Sequence, residues 1–312
     1  MQLKRGDLIT LISQQNGSIS VYPEEREEKP RQIDLEFNEE SEQSLRRRIT
    51  GAFVDGFDII QVRTKKRFTD EQHDTVREIT AELFGLEVVN VEANTVTIEC
   101  LLKPTLPIEK TIDRIHDIVK SMFNEAISAL REHDIKLAEG VPRRIRDIKR
   151  LSIVIYRALR SLILYPTLAS KGRMSLIDSV DFLHVLHRIT GVAHNVKTSS
   201  ESIVKMNTQV LPTSISEPLS EVFKLTQVLY EKAIQALISK DVKIADYVLD
   251  TRPDFEKLWT LCLRASNNAE ISGLVFSYVH RIIDSLTQTW QYAAEIAEIA
   301  IDRAEAEIKK VD

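Results

Sequence analysis

A stretch of 17 residues is written twice in this chain, and that self-similarity limits its possible folds more than any other feature. EAISALREHDIKLAEGV from Glu125 to Val141 returns as KAIQALISKDVKIADYV from Lys232 to Val248. Without a gap, Ala126, Ile127, Ala129, Leu130, Asp134, Lys136, Ala138 and Val141 find the same residue type in the second copy. The same offset aligns Ile148-Lys149-Arg150-Leu151 with Phe255-Glu256-Lys257-Leu258. After a shorter loop, Leu186–Val196 aligns with Leu286–Ile296. From about Leu106 onward the chain therefore reads as one three-helix unit made twice.

The 312 residues exceed what one hydrophobic core comfortably serves, which favours about two domains. With 43% hydrophobic and 29% charged residues but only 9 Gly and 9 Pro, the composition is that of a helical protein rather than a disordered one. A net charge of −5 argues against a chain-wide basic footprint for nucleic acid. No signal-peptide pattern and no run of ~18 apolar residues is present, so the expectation is a cytoplasmic protein with no membrane insertion. Cys100 and Cys262 fall in different domains without metal or redox spacing and read as reduced thiols.

Gly6 to Tyr22 reads as a β-hairpin: two alternating runs flank Asn16-Gly17, a pair that suits a type I′ turn. Two strands alone are marginal in water, so the hairpin is expected to add to another sheet or to its copy in a second chain, favouring a homodimer. A charged, Pro-bounded linker completes residues 1–30. Residues 31–104 alternate strand and helix: strands at Gln32–Phe37, Phe57–Arg63, Leu86–Val91 and Thr95–Leu102, and helices at Glu42–Val54 and Thr69–Phe84, the second opened by Thr69. This is a small α+β domain. Helices then follow at about 107–133, 142–164, 175–207, 215–240, 243–267 and 270–310, giving one helical unit at 105–210 and another at 211–312. Pro253 predicts a kink or a restart capped by Thr251 or Asp254.

No Gly-rich phosphate loop, G-x-S-x-G or H-E-x-x-H occurs, so nothing points to an enzyme or to a bound cofactor. Trp259, Trp290, Tyr156, Tyr230 and Tyr292 stand at helical spacing among Leu and Ile and read as core. Arg146, Lys149, Arg150, Arg157 and Arg160 project within roughly 100° of one another on the 142–164 helix. That stripe reads either as a solvated face paired with Asp147 or with carboxylates of the third helices, or as a cationic surface that docks an acidic partner. His184, His187 and His194 share one quadrant of their helix, compatible with packing positions or with a remodelled zinc site.

The third helices, SVDFLHVLHRITGVAHNV from Ser179 and DSLTQTWQYAAEIAEIAID from Asp284, with the two aligned second-helix tetrads, resemble the PhoU-type phosphate regulators. The resemblance covers about two thirds of the chain. It reaches more faintly into the α+β domain, as in archaeal-type members, while Leu3–Pro23 resembles the latter half of an AbrB-like DNA-binding domain. The fold class it implies is mainly α: two tandem PhoU-like three-helix units in a helical bundle, preceded by the α+β domain and the hairpin.

In metal-binding members, carboxylates on adjacent helices converge on iron or zinc. Here those positions hold Lys149, His187 and Gly191 in the first copy and Glu256, Thr287 and Gln291 in the second, which keeps one carboxylate and predicts no bound metal. The resemblance implies a non-enzymatic regulator of phosphate uptake acting through contacts with a transporter ATPase or a signalling protein. It also implies two alternatives. One is a transcription regulator whose hairpin dimer meets DNA through Lys4 and Arg5, and the other is an accessory subunit of a phosphate carrier.

Overall fold

The computed structural model of the chain describes residues 8–13, 17–23, 30–38, 41–102, 108–164, 174–206 and 211–308. Strands β1 (Ile9–Ser13) and β2 (Ile19–Pro23) form the expected antiparallel hairpin as a two-stranded sheet of their own. Gly17 carries φ +80 in its turn, a left-handed value that costs glycine nothing. Directly opposed residues share a face, so the Leu11–Val21 pairing sets Ile9, Leu11, Ile19 and Val21 together, all of them exposed. Lys4 and Arg5 lie outside the described residues.

The α+β domain follows its alternating pattern closely: β3 (Gln32–Glu36), α1 (Glu42–Val54), β4 (Ile59–Arg63), α2 (Asp70–Glu82), β5 (Leu86–Val91) and β6 (Thr95–Cys100). The strand order is β3-β4-β6-β5, with β3 and β4 parallel and the other pairings antiparallel. Leu35, Val62 and Val96 line up across the sheet and face Leu45, Ile49, Phe53, Val76 and Ile79 from the two helices. Ser41 caps α1, and Thr69 caps α2 in a reciprocal box with Gln72.

The helices begin with α3 (Ile108–Glu132), the short α4 (Ile135–Gly140), a 3₁₀ turn at Val141–Arg144 and α5 (Ile145–Leu164). Then come α6 (Leu176–Met206), α7 (Thr213–Ser239), α8 (Val242–Asp250), α9 (Arg252–Asn268) and α10 (Gly273–Ile308). The helix expected at 243–267 is in two pieces, with the restart expected at Pro253, while the helix expected at 142–164 opens with the 3₁₀ turn and is preceded by the additional short α4. The break in the second copy falls at Thr251, just before Pro253, but Thr251 does not cap α9 with its side chain. Its hydroxyl instead donates back to the Tyr247 carbonyl, 2.6 Å away.

The chain divides into two compact units, and the division cuts through α5 and α6. Residues 1–108 and 150–182 form one unit; residues 109–149 and 183–312 form the other. This departs from the boundaries expected at 105 and 211, because the C-terminal part of α5 joins the α+β core, where Val154 is buried and Ile153 packs against it.

Inside the second unit, the duplication is a matter of geometry as well as of sequence. Among the described residues, the non-glycine residues with positive φ are His133 (φ 55) and Lys240 (φ 53), which occupy the same place in the two copies. Each is followed by an aspartate, Asp134 or Asp241, whose carboxylate caps the next helix. Helices α3 and α7 then pack through contacts that come in exchanged pairs. The His116 ring lies 5.2 Å from Tyr230, and its image under exchange of the copies is the 6.2 Å pair of Phe223 with Phe123. Lys120–Glu231 at 3.0 Å has as its image Asn124–Gln227 at 2.9 Å. Phe123 and Tyr230, equivalent to each other, stack at 6.0 Å on the local pseudo-twofold axis.

Candidate functional site

The basic stripe runs along α5. Arg157 is only 9% exposed, so its charge must be answered locally. Its Nη1 donates to the carbonyls of Phe53 (2.6 Å) and Phe57 (2.9 Å), and its Nη2 donates to Asp58 Oδ1 (2.8 Å). The guanidinium also sits 5.0 Å over the Phe53 ring. Arg160 pairs with Asp55 in the same α1–β4 turn.

That turn is made for the purpose. Gly56 has φ +85, and the Arg31 Nη1 group bonds the Asp55 carbonyl at 2.6 Å while its backbone N–H bonds Asp58 at 3.0 Å. Arg157 is thus held inside its unit while Arg160 stays exposed, and their carboxylate partners are Asp58 and Asp55 rather than Asp147 or the third helices. Arg150 is half-buried, and only Arg146 and Lys149 of the stripe are exposed in the unit that holds the duplicated helices.

The positions that would carry metal-ligating carboxylates are occupied by something else. Gly191 on α6 faces the ring of Tyr292 on α10, and a Cβ there would come within 2.5 Å of that ring. The aromatic therefore fills the space an aspartate would need. Arg188, one turn away, pairs with Glu295 and lies 5.7 Å over the same Tyr292 ring. His187, Lys149 and Gln291 are exposed, and Thr287 is half-buried with its hydroxyl donated to the Ile283 carbonyl at 2.9 Å. Glu256 is exposed and pairs with Arg252 at 2.8 Å. Among the described residues no three His, Cys, Asp or Glu side chains converge as metal ligands. His184, His187 and His194 are all exposed, and His194 Nδ1 is engaged by the Thr190 carbonyl at 2.8 Å.

The aromatic residues expected in the core are not equally buried. Tyr230 is fully enclosed, and burial pushes its phenol well above the ordinary range. Trp259, Trp290, Tyr156 and Tyr292 are half-buried. Trp290 stacks on Phe255 at 5.4 Å, with Arg252 at 5.7 Å on the ring. Cys262 is buried in α9, where desolvation pushes its thiol up to about 12. Reading the sequence missed the Asp55–Asp58 socket and the Tyr292 plug. The first had a local signal, the Asp-Gly-Phe-Asp turn, whereas the second needs two distant helices to be brought together.

The family whose model matches this chain is described as the PhoU domain, over residues 112–199. That is the first of the two helical copies. No curated protein sequence matches the chain. Among solved structures, PhoU from Pseudomonas aeruginosa is similar at 14% identity with a TM-score of 0.56, the alignment covering 62% of this chain and 93% of that one. The phosphate transport system regulatory protein PhoU from Streptococcus pneumoniae is similar at 14% identity and a TM-score of 0.55, covering 62% and 91%. At such identity the likeness is one of fold. Among the described residues no helix is long and apolar enough to cross a membrane.

Proposed function

We propose that this chain, which carries a PhoU domain in a duplicated PhoU-like helical fold, is a cytoplasmic regulator of phosphate uptake that works through protein contacts and catalyses no reaction. The observation that carries this reading is the helical unit matched as a PhoU domain at 112–199 and repeated by pseudo-twofold geometry across α3 and α7. The partner is a phosphate-transport ATPase or a signalling protein, and the accessory role in a phosphate carrier belongs to the same class of contact. Arg146 and Lys149 are the stripe residues that meet the partner, since they remain exposed while Arg157 and Arg160 are engaged within the chain. The Gly191–Tyr292 packing supports a role without a metal cluster, because the space for one carboxylate is filled by a ring.

Affinity purification of the tagged chain from phosphate-replete cells tests this reading. A transporter ATPase or signalling protein that co-purifies with the natural chain, and is lost from the double charge reversal R146E/K149E, is the expected result. The same partner retained by the double variant rejects the proposed contact, and recovery of neither class of partner rejects the reading.

A second reading is favoured by one observation. The β1–β2 hairpin presents Ile9, Leu11, Ile19 and Val21 on one exposed face, an arrangement that a second copy would cover. In that reading the homodimer contacts DNA, with Lys4 and Arg5 meeting phosphates. A gel shift with a genomic fragment library decides it: retarded fragments favour the transcription regulator, and their absence leaves the hairpin as a dimer contact.

A further inference from the structure

We propose that His116 makes the seam between the two helical copies acid-sensitive, protonation of its ring driving it from the slot against Tyr230 and loosening α3 from α7. Exchange of the copies places Phe223 where His116 sits, and both rings pack against an aromatic at the equivalent position, Tyr230 for one and Phe123 for the other. The slot is therefore built for a neutral, apolar ring. One copy fills it with phenylalanine and the other with the side chain that gains charge between about pH 5 and 8.

Among the described residues, no acceptor is aligned with the ring's Nδ1. His116 Nδ1 and the Tyr230 hydroxyl are buried with no hydrogen-bond partner among the described residues. The charged groups around the ring are Asp113, Asp117 and Lys120 on α3 and Glu231 on α7. Glu231, the acceptor across the seam, is already held by Lys120 at 3.0 Å and by Gln227 at 2.8 Å. Protonation puts an N–H on the buried Nδ1, which has no acceptor there, so the ring turns out toward solvent or draws on the Glu231 carboxylate that Lys120 and Gln227 already hold. Either outcome undoes a contact that ties the copies together.

Burial pushes the His116 imidazole below its usual value, with the Glu231 and Asp117 carboxylates pulling the other way. The unfolded chain binds this proton more readily than the folded one, so stability is fully present above the ordinary value of 6.5 and is lost as pH falls below it. Solvent reaches part of the ring, so the loosening is local to the seam rather than a global collapse.

Native-state hydrogen exchange on the full chain, corrected for intrinsic rates and compared at about pH 7.5 and about pH 5.5, tests the proposal across the range where histidine titrates. Protection in α3 and α7 around residues 116 and 230 is expected to fall several-fold at the lower pH in the natural chain. In H116F, which copies the other repeat, that fall is expected to vanish. H116Q, which keeps a polar but uncharged side chain, should also lack it, and serves if H116F does not fold. An equal fall in the variants, or no fall in the natural chain, overturns the proposal.

Discussion

At Arg157, one side chain answers three acceptors of the α1–β4 turn, so its removal takes a donor from the Phe53 and Phe57 carbonyls and from Asp58. Asp58 is 40% exposed and keeps its bond from the Arg31 N–H, so the cost is that of leaving partly buried acceptors short of a donor, about 1–3 kcal/mol. We therefore expect Arg157→Ala to lower the unfolding free energy of the full chain by that much, and Arg160→Ala, whose side chain is 48% exposed, to cost under about 1 kcal/mol. Equal losses would show that the socket is an ordinary surface pair. Gly191 is the second test at this scale. Gly191→Ala pushes a Cβ into the Tyr292 ring and should destabilise by about 1–3 kcal/mol, with Tyr292→Ala relieving most of the added strain. A neutral Gly191→Ala would mean that the ring moves aside freely. The basic stripe was legible as a pattern, but helical periodicity states only which residues share a side. It does not say that this side meets the α+β domain, which is why Arg157 and Arg160 read as candidates for an outside partner.

Among the elements, the duplicated junction after α3 and after α7 shows why the repeated aspartate is retained in both copies. A left-handed residue ends each helix, and the aspartate that follows accepts from the first N–H groups of the next one. Asp134→Ala and Asp241→Ala should each cost about 1 kcal/mol, the usual value of an N-cap. His133→Gly and Lys240→Gly should each stabilise by up to about 1 kcal/mol, because glycine adopts that backbone without the Cβ penalty. Chemical denaturation of the four variants checks both statements, and a cap effect in only one copy would contradict the equivalence of the junctions. The strands and both helices of the α+β domain were readable because alternation, capping residues and turn residues agree there. Pro253 marked the restart after Thr251, whereas the short α4 and the 3₁₀ turn at Val141–Arg144 were harder to place, since apolar periodicity runs across them and only Pro142 marks the position.

For the molecule as a whole, the duplicated helical architecture was visible in the eight identities between 125–141 and 232–248, and the structure adds the exchange of partners across α3 and α7. The boundary between units was not visible, because a helix continuous in sequence serves two cores, and which core each half joins depends on long-range packing. The proposed function rests on the same architecture: a PhoU-like helical unit made twice, in which the Tyr292 ring fills one position where a metal-binding carboxylate would stand. The most direct measurement is the uptake of labelled phosphate by cells with and without this chain, each grown in scarce and in abundant phosphate. Cells lacking the chain should fail to adjust uptake to supply and should recover when it is restored, whereas identical adjustment with and without it would contradict a role in phosphate regulation.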